Sequence, residues 1–241
     1  MAHTLSLRAV DYNTIVLEQI RTMPKGGGYA VTREALSALG GAAKTANGSI
    51  AITAASATPS FCSGATYLVF LKTLKAAEDG SHIPRLGVVW EILTPRPAPD
   101  GVGIWGRWNA NGPGASRLFH ELELGRNFTS YEVARPGDFM KIFWTDAVGK
   151  KERGHLVVYL GREMKDGVEH IRFWSSNKPD GYGEKSVPRT KIARAIFSRL
   201  ESPENMRKAP SLPKKDAYLA SLLTKESSFD EALLKSGVRQ R

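Results

Sequence analysis

The stretch from Tyr67 to Leu74, YLVFLKTL, constrains this chain more than any other. Wound as a helix it is apolar nearly all round, so no face is left to give to water. Such a helix belongs at the centre of a core, and the rest of the chain must supply the layers that cover it. Just upstream, Thr58-Pro59 reads as a capping residue followed by proline at the first helical position, where a missing N–H costs nothing. That start places Cys62, the only cysteine, in the first turn.

The chain has 241 residues, 41% of them hydrophobic, enough to bury a sizeable core. Apolar spacing from Leu7 through Val10, Thr14 and Leu17 to Ile20 predicts an N-terminal helix, which the PKGGG turn ends. Thr32 caps a second helix, and residues 49–53 read as a short strand. A helix is expected near residues 84–93. A Gly/Asn-rich loop holding Trp105 and Trp108 follows, then a helix over residues 115–124. Three strand-like runs come next, at residues 137–144, 154–161 and 169–176, and the middle one is apolar on both faces as a central strand would be. A helix over residues 188–200, a mobile basic linker and two short helices complete the expectation. Helices first and neighbouring strands after them make the class α+β.

Net charge is +10 and unevenly spread, with 13 Lys+Arg against 6 Asp+Glu from Lys185 to Arg241. A basic end favours anionic partners or simply keeps the surface solvated. No apolar run reaches membrane-spanning length, so no membrane span is expected. The N-terminus lacks the pattern of a secretory leader. His120-Glu121-Leu122-Glu123 lacks a second histidine at zinc spacing, so neither a metal nor another cofactor is expected.

A lone thiol makes no internal disulfide; it is buried, reactive or incidental. At a helix N-terminus, unpaired N–H groups and the macrodipole favour its thiolate, and a nearby histidine completes the activation. His3 lies near the terminus, His82 in a loop, His120 inside a predicted helix and His170 on a presumed exposed strand face. His155 opens the apolar run LVVYL, where an imidazole is either a satisfied core residue or one emerging into a cleft.

Three segments in this order, Cys62-Ser63-Gly64, Arg135-Pro136-Gly137-Asp138 leading into a strand, and Gly154-His155-Leu156-Val157-Val158-Tyr159-Leu160-Gly161, resemble the signature segments of NlpC-like cell-wall cysteine peptidases. These belong to the papain-like superfamily, alongside the CHAP amidases. The resemblance covers residues 26–200, with a long insertion at about residues 75–135, between an N-terminal helix at residues 1–25 and a basic C-terminal helical extension at residues 201–241. It implies a nucleophile-bearing helix packed on an antiparallel sheet, with Cys62 as nucleophile and His155 as base. The substrate it implies is a peptidoglycan peptide, or another anionic wall polymer. The site would be periplasmic or secreted if a leader has been removed, and otherwise cytoplasmic or exported without one.

The resemblance further implies a third polar group that holds the imidazole, which in the family comes from the strand after the histidine. By period two, Ile171, Phe173, Ser175 and Asn177 share a face; Asn177 matches the asparagine of CHAP-like relatives, and Ser175 competes with it. Family members often use an upstream tyrosine in the oxyanion hole, which makes Tyr29 the candidate second donor beside the Cys62 N–H, or else it is a core tyrosine. Trp105 and Trp108 offer platforms for a sugar or peptide, or anchor their loop. The chain departs from the family pattern at Phe61, where an acidic residue is common before the cysteine. The alternatives are a catalytically silent papain-like binding module and, further off, a basic nucleic-acid-binding protein, for which no motif accompanies the charge.

Overall fold

The computed structural model describes residues 10–238. In chain order its elements begin with α1 (Tyr12–Arg21), β1 (Gly26–Gly27), α2 (Arg33–Ala42) and the hairpin β2 (Ala43–Ala46) and β3 (Ser49–Ile52). Next come α3 (Cys62–Asp79), α4 (Val89–Leu93), α5 (Gly103–Asn109), α6 (Gly114–Glu121) and β4 (Gly125–Phe128). The strands β5 (Phe139–Phe143), β6 (Val148–Gly149), β7 (Gly154–Lys165), β8 (Val168–Asn177), β9 (Gly181–Pro188) and β10 (Arg194–Leu200) follow. The chain ends with α7 (Ala217–Ser221), β11 (Glu226–Ser227) and α8 (Phe229–Lys235). The class is α+β, with a seven-stranded sheet in the order β1-β9-β8-β7-β5-β10-β4 whose neighbours are all antiparallel.

Helix α3 takes the central place that its all-round apolar sequence demands: Tyr67, Leu68, Val69, Phe70, Leu71 and Leu74 are fully buried. It lies against one face of the sheet, meeting Leu156, Val158 and Trp174, and α5 adds Trp105 and Trp108 to the same core. The opposite face buries Val157, Tyr159, Ile171 and Phe173 in a second core, closed by Tyr131, Ala134 and Ile192. This division follows the two-residue period of β7 and β8.

The Pro-Gly-Asp motif anchors the N-terminal helix. Asp138, fully buried, accepts from Arg199 Nε and Nη2 at 2.8 and 2.7 Å, from Asn13 Nδ2 at 2.9 Å and from the Arg135 N–H at 2.7 Å. Gly137 holds φ +96°, and a Cβ there would lie 2.7 Å from the Asn13 carbonyl. Glycine is therefore required at the crossing of α1 and the entry to β5.

Several expectations are corrected. Residues 188–200 are not a helix: β10 pairs β5 on one side and β4 on the other, and the consecutive burial of Ala195, Ile196 and Phe197 is that of an inner strand. Trp105 and Trp108 lie on α5, not in a loop. The presumed mobile linker is a 3₁₀ segment, Pro203–Ser211, whose Met206 and Ala209 join the central core. The C-terminal segment is likewise no appended extension, since β11 pairs β6 and Asp216 pairs Arg117 at 2.9 Å. The middle segment is more than an insertion, because its β4 forms the sheet edge beside β10. Helix α1 starts after Asp11, whose carboxylate caps it; the expected beginning at Leu7 lies outside the described residues. The residue preceding α3 is Phe61, not Thr58, so Cys62 is the first residue of the helix. Among the described residues no helix is long and apolar enough to cross a membrane.

Candidate active site

Cys62 is half-buried at the N-terminus of α3, where its N–H has no acceptor within the helix. The preceding Phe61 turns into the core, edge-on to Trp105 at 6.1 Å between ring centroids. An acidic side chain at that position would be buried in hydrocarbon.

His155 stands one residue into β7. Its ring stacks on Trp144 at 6.2 Å and meets Phe173 edge-on at 5.7 Å, which fixes the imidazole plane. The register Val158↔Trp174, carried three residues further, sets His155 opposite Asn177. The Asn177 amide cannot turn over, because its Nδ2 donates to the carbonyls of Gly183 at 2.9 Å and Ser175 at 3.3 Å. Oδ1 is thereby aimed at His155 Nε2, 3.1 Å away, and accepts a hydrogen bond from its N–H. In the neutral imidazole this leaves Nδ1 bare to receive a proton from the thiol.

Cys62, His155 and Leu156 line one small chamber, which sets the imidazole and the Leu156 N–H near the thiol. Burial pushes the thiol pKa up. The positive charge and hydrogen bond of His155, the Leu156 N–H and the Lys141 ammonium together outweigh burial and bring it down to about 6. Tyr29 closes the third side. Its backbone bridges Ser60 in parallel, which carries its ring past α2 to the start of α3. Burial, and then the neighbouring Cys62, hold its phenol protonated well above the ordinary range, so it stays a donor.

The other expected residues separate. Ser175 is fully buried and donates to the Leu156 carbonyl at 2.8 Å, so it supports β7 and does not meet the imidazole. Trp105 is buried, its ring edge-on to Phe61 and Tyr67. Trp108 walls a cleft beside Cys62 but is 1% exposed, and its indole N–H donates to the Ser63 carbonyl at 3.1 Å. Both tryptophans anchor the first turn of α3; neither is a platform for a sugar.

Two chambers meet at His155. The small one, about 100 Å³, is walled by Cys62, Trp108, Asn109, Asn111, Lys141 and Glu152. The larger, about 490 Å³, is lined by Tyr29, Trp144, Phe173, Asn177 and three lysines. Compared with known proteins, the chain matches no family model, no curated protein and no solved structure. The site is therefore read from its own geometry.

Lys141, Glu152 and Asn109 escaped the reading of the sequence. Asn109 accepts from Ser63 Oγ at 2.6 Å, tying α5 to the first turn of α3. Lys141 Nζ lies 2.6 Å from Glu152 Oε1, and Glu152 Oε2 takes the N–H groups of Gly112 and Gly149. A Cβ on Gly154 would lie 2.5 Å from that carboxylate and 2.7 Å from the ammonium, so the glycine before His155 makes room for the pair. The signal was present: in Phe139-Met140-Lys141-Ile142-Phe143, period two sets a lysine on the same face as two phenylalanines.

Proposed function

We propose that this chain is a cysteine-dependent amide hydrolase of papain-like type, acting on peptides of the bacterial cell wall. One observation carries the proposal: the sole thiol, at a helix N-terminus, shares a small chamber with an imidazole whose far nitrogen is fixed by Asn177. An inert structural cysteine has no need of a basic partner held in one tautomer. The ordered motifs around Cys62, Asp138 and His155 and their resemblance to NlpC-like peptidases supply the substrate class.

In this reading His155 Nδ1 takes the thiol proton, and the Cys62 sulfur adds to the amide carbonyl carbon. The oxygen gains negative charge, which the Cys62 N–H and the Tyr29 hydroxyl stabilise. Collapse breaks the C–N bond as His155 gives its proton to the departing nitrogen, leaving a thioester. Water, deprotonated by the same imidazole, then attacks the thioester; a carboxylic acid leaves and the thiol is restored. Asn177 holds the ring throughout and exchanges no proton.

The test is to incubate the protein with purified wall peptides and weigh the fragments by mass spectrometry. Cys62→Ala and His155→Ala should each abolish cleavage while the circular dichroism spectrum stays that of the parent. Full cleavage by either variant would remove the dyad. The pH dependence follows from the lowered thiol: the thiolate is present above about pH 6, so activity falls as pH drops through that value.

A further inference from the structure

The two chambers at His155 differ in charge. In the small one the Lys141 ammonium is offset by the Glu152 carboxylate, 2.6 Å away. The large one is lined by Lys178, Lys185 and Lys191 and by no carboxylate. All three lysines are exposed. Lys178 Nζ stands over the Tyr29 ring at 5.5 Å from its centroid, and Lys185 Nζ donates to the Lys178 carbonyl at 3.3 Å. Neither contact neutralises charge.

Several cations elsewhere on the large sheet are paired. On β8 and its neighbours, Arg172 takes Glu184 at 3.0 Å, Arg162 takes Glu132 at 2.9 Å and Lys165 takes Glu163 at 2.8 Å. Glu184, adjacent in sequence to Lys185, is thus turned to Arg172 on the neighbouring strand. Among the described residues none of the three chamber lysines has an ion-pair partner. Like charges gathered round one cleft repel each other, and nothing of the protein's own relieves them. The chamber floor, Trp144, Phe173 and Val187, is apolar and suits the aliphatic part of a peptide.

We infer that the large chamber is the anion-binding half of the cleft, where Lys178, Lys185 and Lys191 receive two or more carboxylates of the peptide whose amide lies at Cys62. The inference rests on the hydrolase reading for the identity of that peptide. Lysine suits the task because a mobile point charge follows carboxylates at varied spacings, where the rigid fork of arginine would demand one geometry.

The probe is a set of peptides released from purified bacterial walls, used as isolated and after amidation of their carboxylates. Binding is measured by calorimetry on the intact Cys62→Ala chain, alone and with Lys178→Met, Lys185→Met and Lys191→Met combined. We expect amidation to weaken binding roughly tenfold, the triple lysine variant to weaken binding of the untreated peptides by the same factor, and the two losses not to add. Equal affinity for untreated and amidated peptides, full affinity in the triple variant, or no binding of untreated peptides overturns the inference. The lysines are exposed, so folding should survive; each single Lys→Met variant, expected to lose a part of the affinity, covers the case where the triple does not fold. Cleavage by the parent chain is scored separately. Charge-dependent binding without cleavage sinks the hydrolase reading and leaves the anion site. Cleavage at equal rates for both peptide sets, undiminished in the triple variant with Cys62 present, sinks the anion site alone.

Discussion

Strand β5 and the residue that leads into it carry two buried ion pairs three residues apart, and they do different work. Asp138 meets Arg199 inside the protein, with two donors on each carboxylate oxygen. Lys141 meets Glu152 at the wall of the small chamber, with 11% of the lysine side chain still exposed on the side of Cys62. The first pair is saturated by the fold, joining α1, β5 and β10. The second leaves a fixed cation beside the thiol, so its field is available to chemistry. Burial alone does not distinguish a structural charge from a functional one; the direction of the unsatisfied side does.

Separating the two pairs by mutation gives the largest expected effect first. Asp138→Ala strands the Arg199 guanidinium and the Asn13 amide in the interior and should cost about 3–5 kcal/mol in denaturant unfolding. The thiol of the molecules that remain folded should titrate as before. A shift of the thiol in that variant would mean that the two pairs are coupled and the contrast is false.

His155→Ala comes next. Removing the imidazole takes away both its charge and its hydrogen bond, the two largest influences opposing burial. The midpoint of iodoacetamide alkylation at Cys62 should climb from about 6 to the ordinary thiol value of about 8.5 or above. An unchanged midpoint would show that the helix N-terminus, not the histidine, sets the thiolate.

The grouping of the candidate site's residues was more legible in the sequence than the frame around it, for a physical reason. Cys62, His155 and Asn177 sit at the ends of strongly patterned segments, where an all-apolar helix starts and where strands of period two begin or finish. Ends of that kind are visible in one dimension. Strand β10 was not, because its inner position buries neighbouring residues on both faces, and Ile192, Ala195, Ile196 and Arg199 then fall at helical spacing. Helix α5 was hidden by Gly103 and Gly106, which read as loop, although Ile104, Trp105 and Trp108 share a helix face. In the segment after β10, proline and charge suggested a linker, while Met206 and Ala209 were the only sign of docking. Tyr29 reaches Cys62 through a bridge to Ser60, a pairing across α2 and a hairpin that no local pattern announces.

Smaller effects separate the orienting group from the remote cation. Asn177→Ala frees the imidazole to rotate and should lower kcat by about tenfold to hundredfold, because a misaimed base loses most of its advantage. Asn177→Asp keeps an oxygen at the same place and should recover part of that loss, with the acid limb of the pH profile displaced upward by the added negative charge.

Lys141→Met should have the smallest effect on the thiol, since Lys141 ranks below His155 and the Leu156 N–H among the influences that lower it. The alkylation midpoint should rise by a fraction of a pH unit, and Lys141→Arg should restore it. If the cation acts through its field, Glu152→Gln should move the midpoint the opposite way, because the ammonium then faces Cys62 without its counter-charge. If Lys141 serves only to fill space against Gly154, the methionine and arginine variants will titrate alike, and the difference between the two ion pairs of this strand disappears.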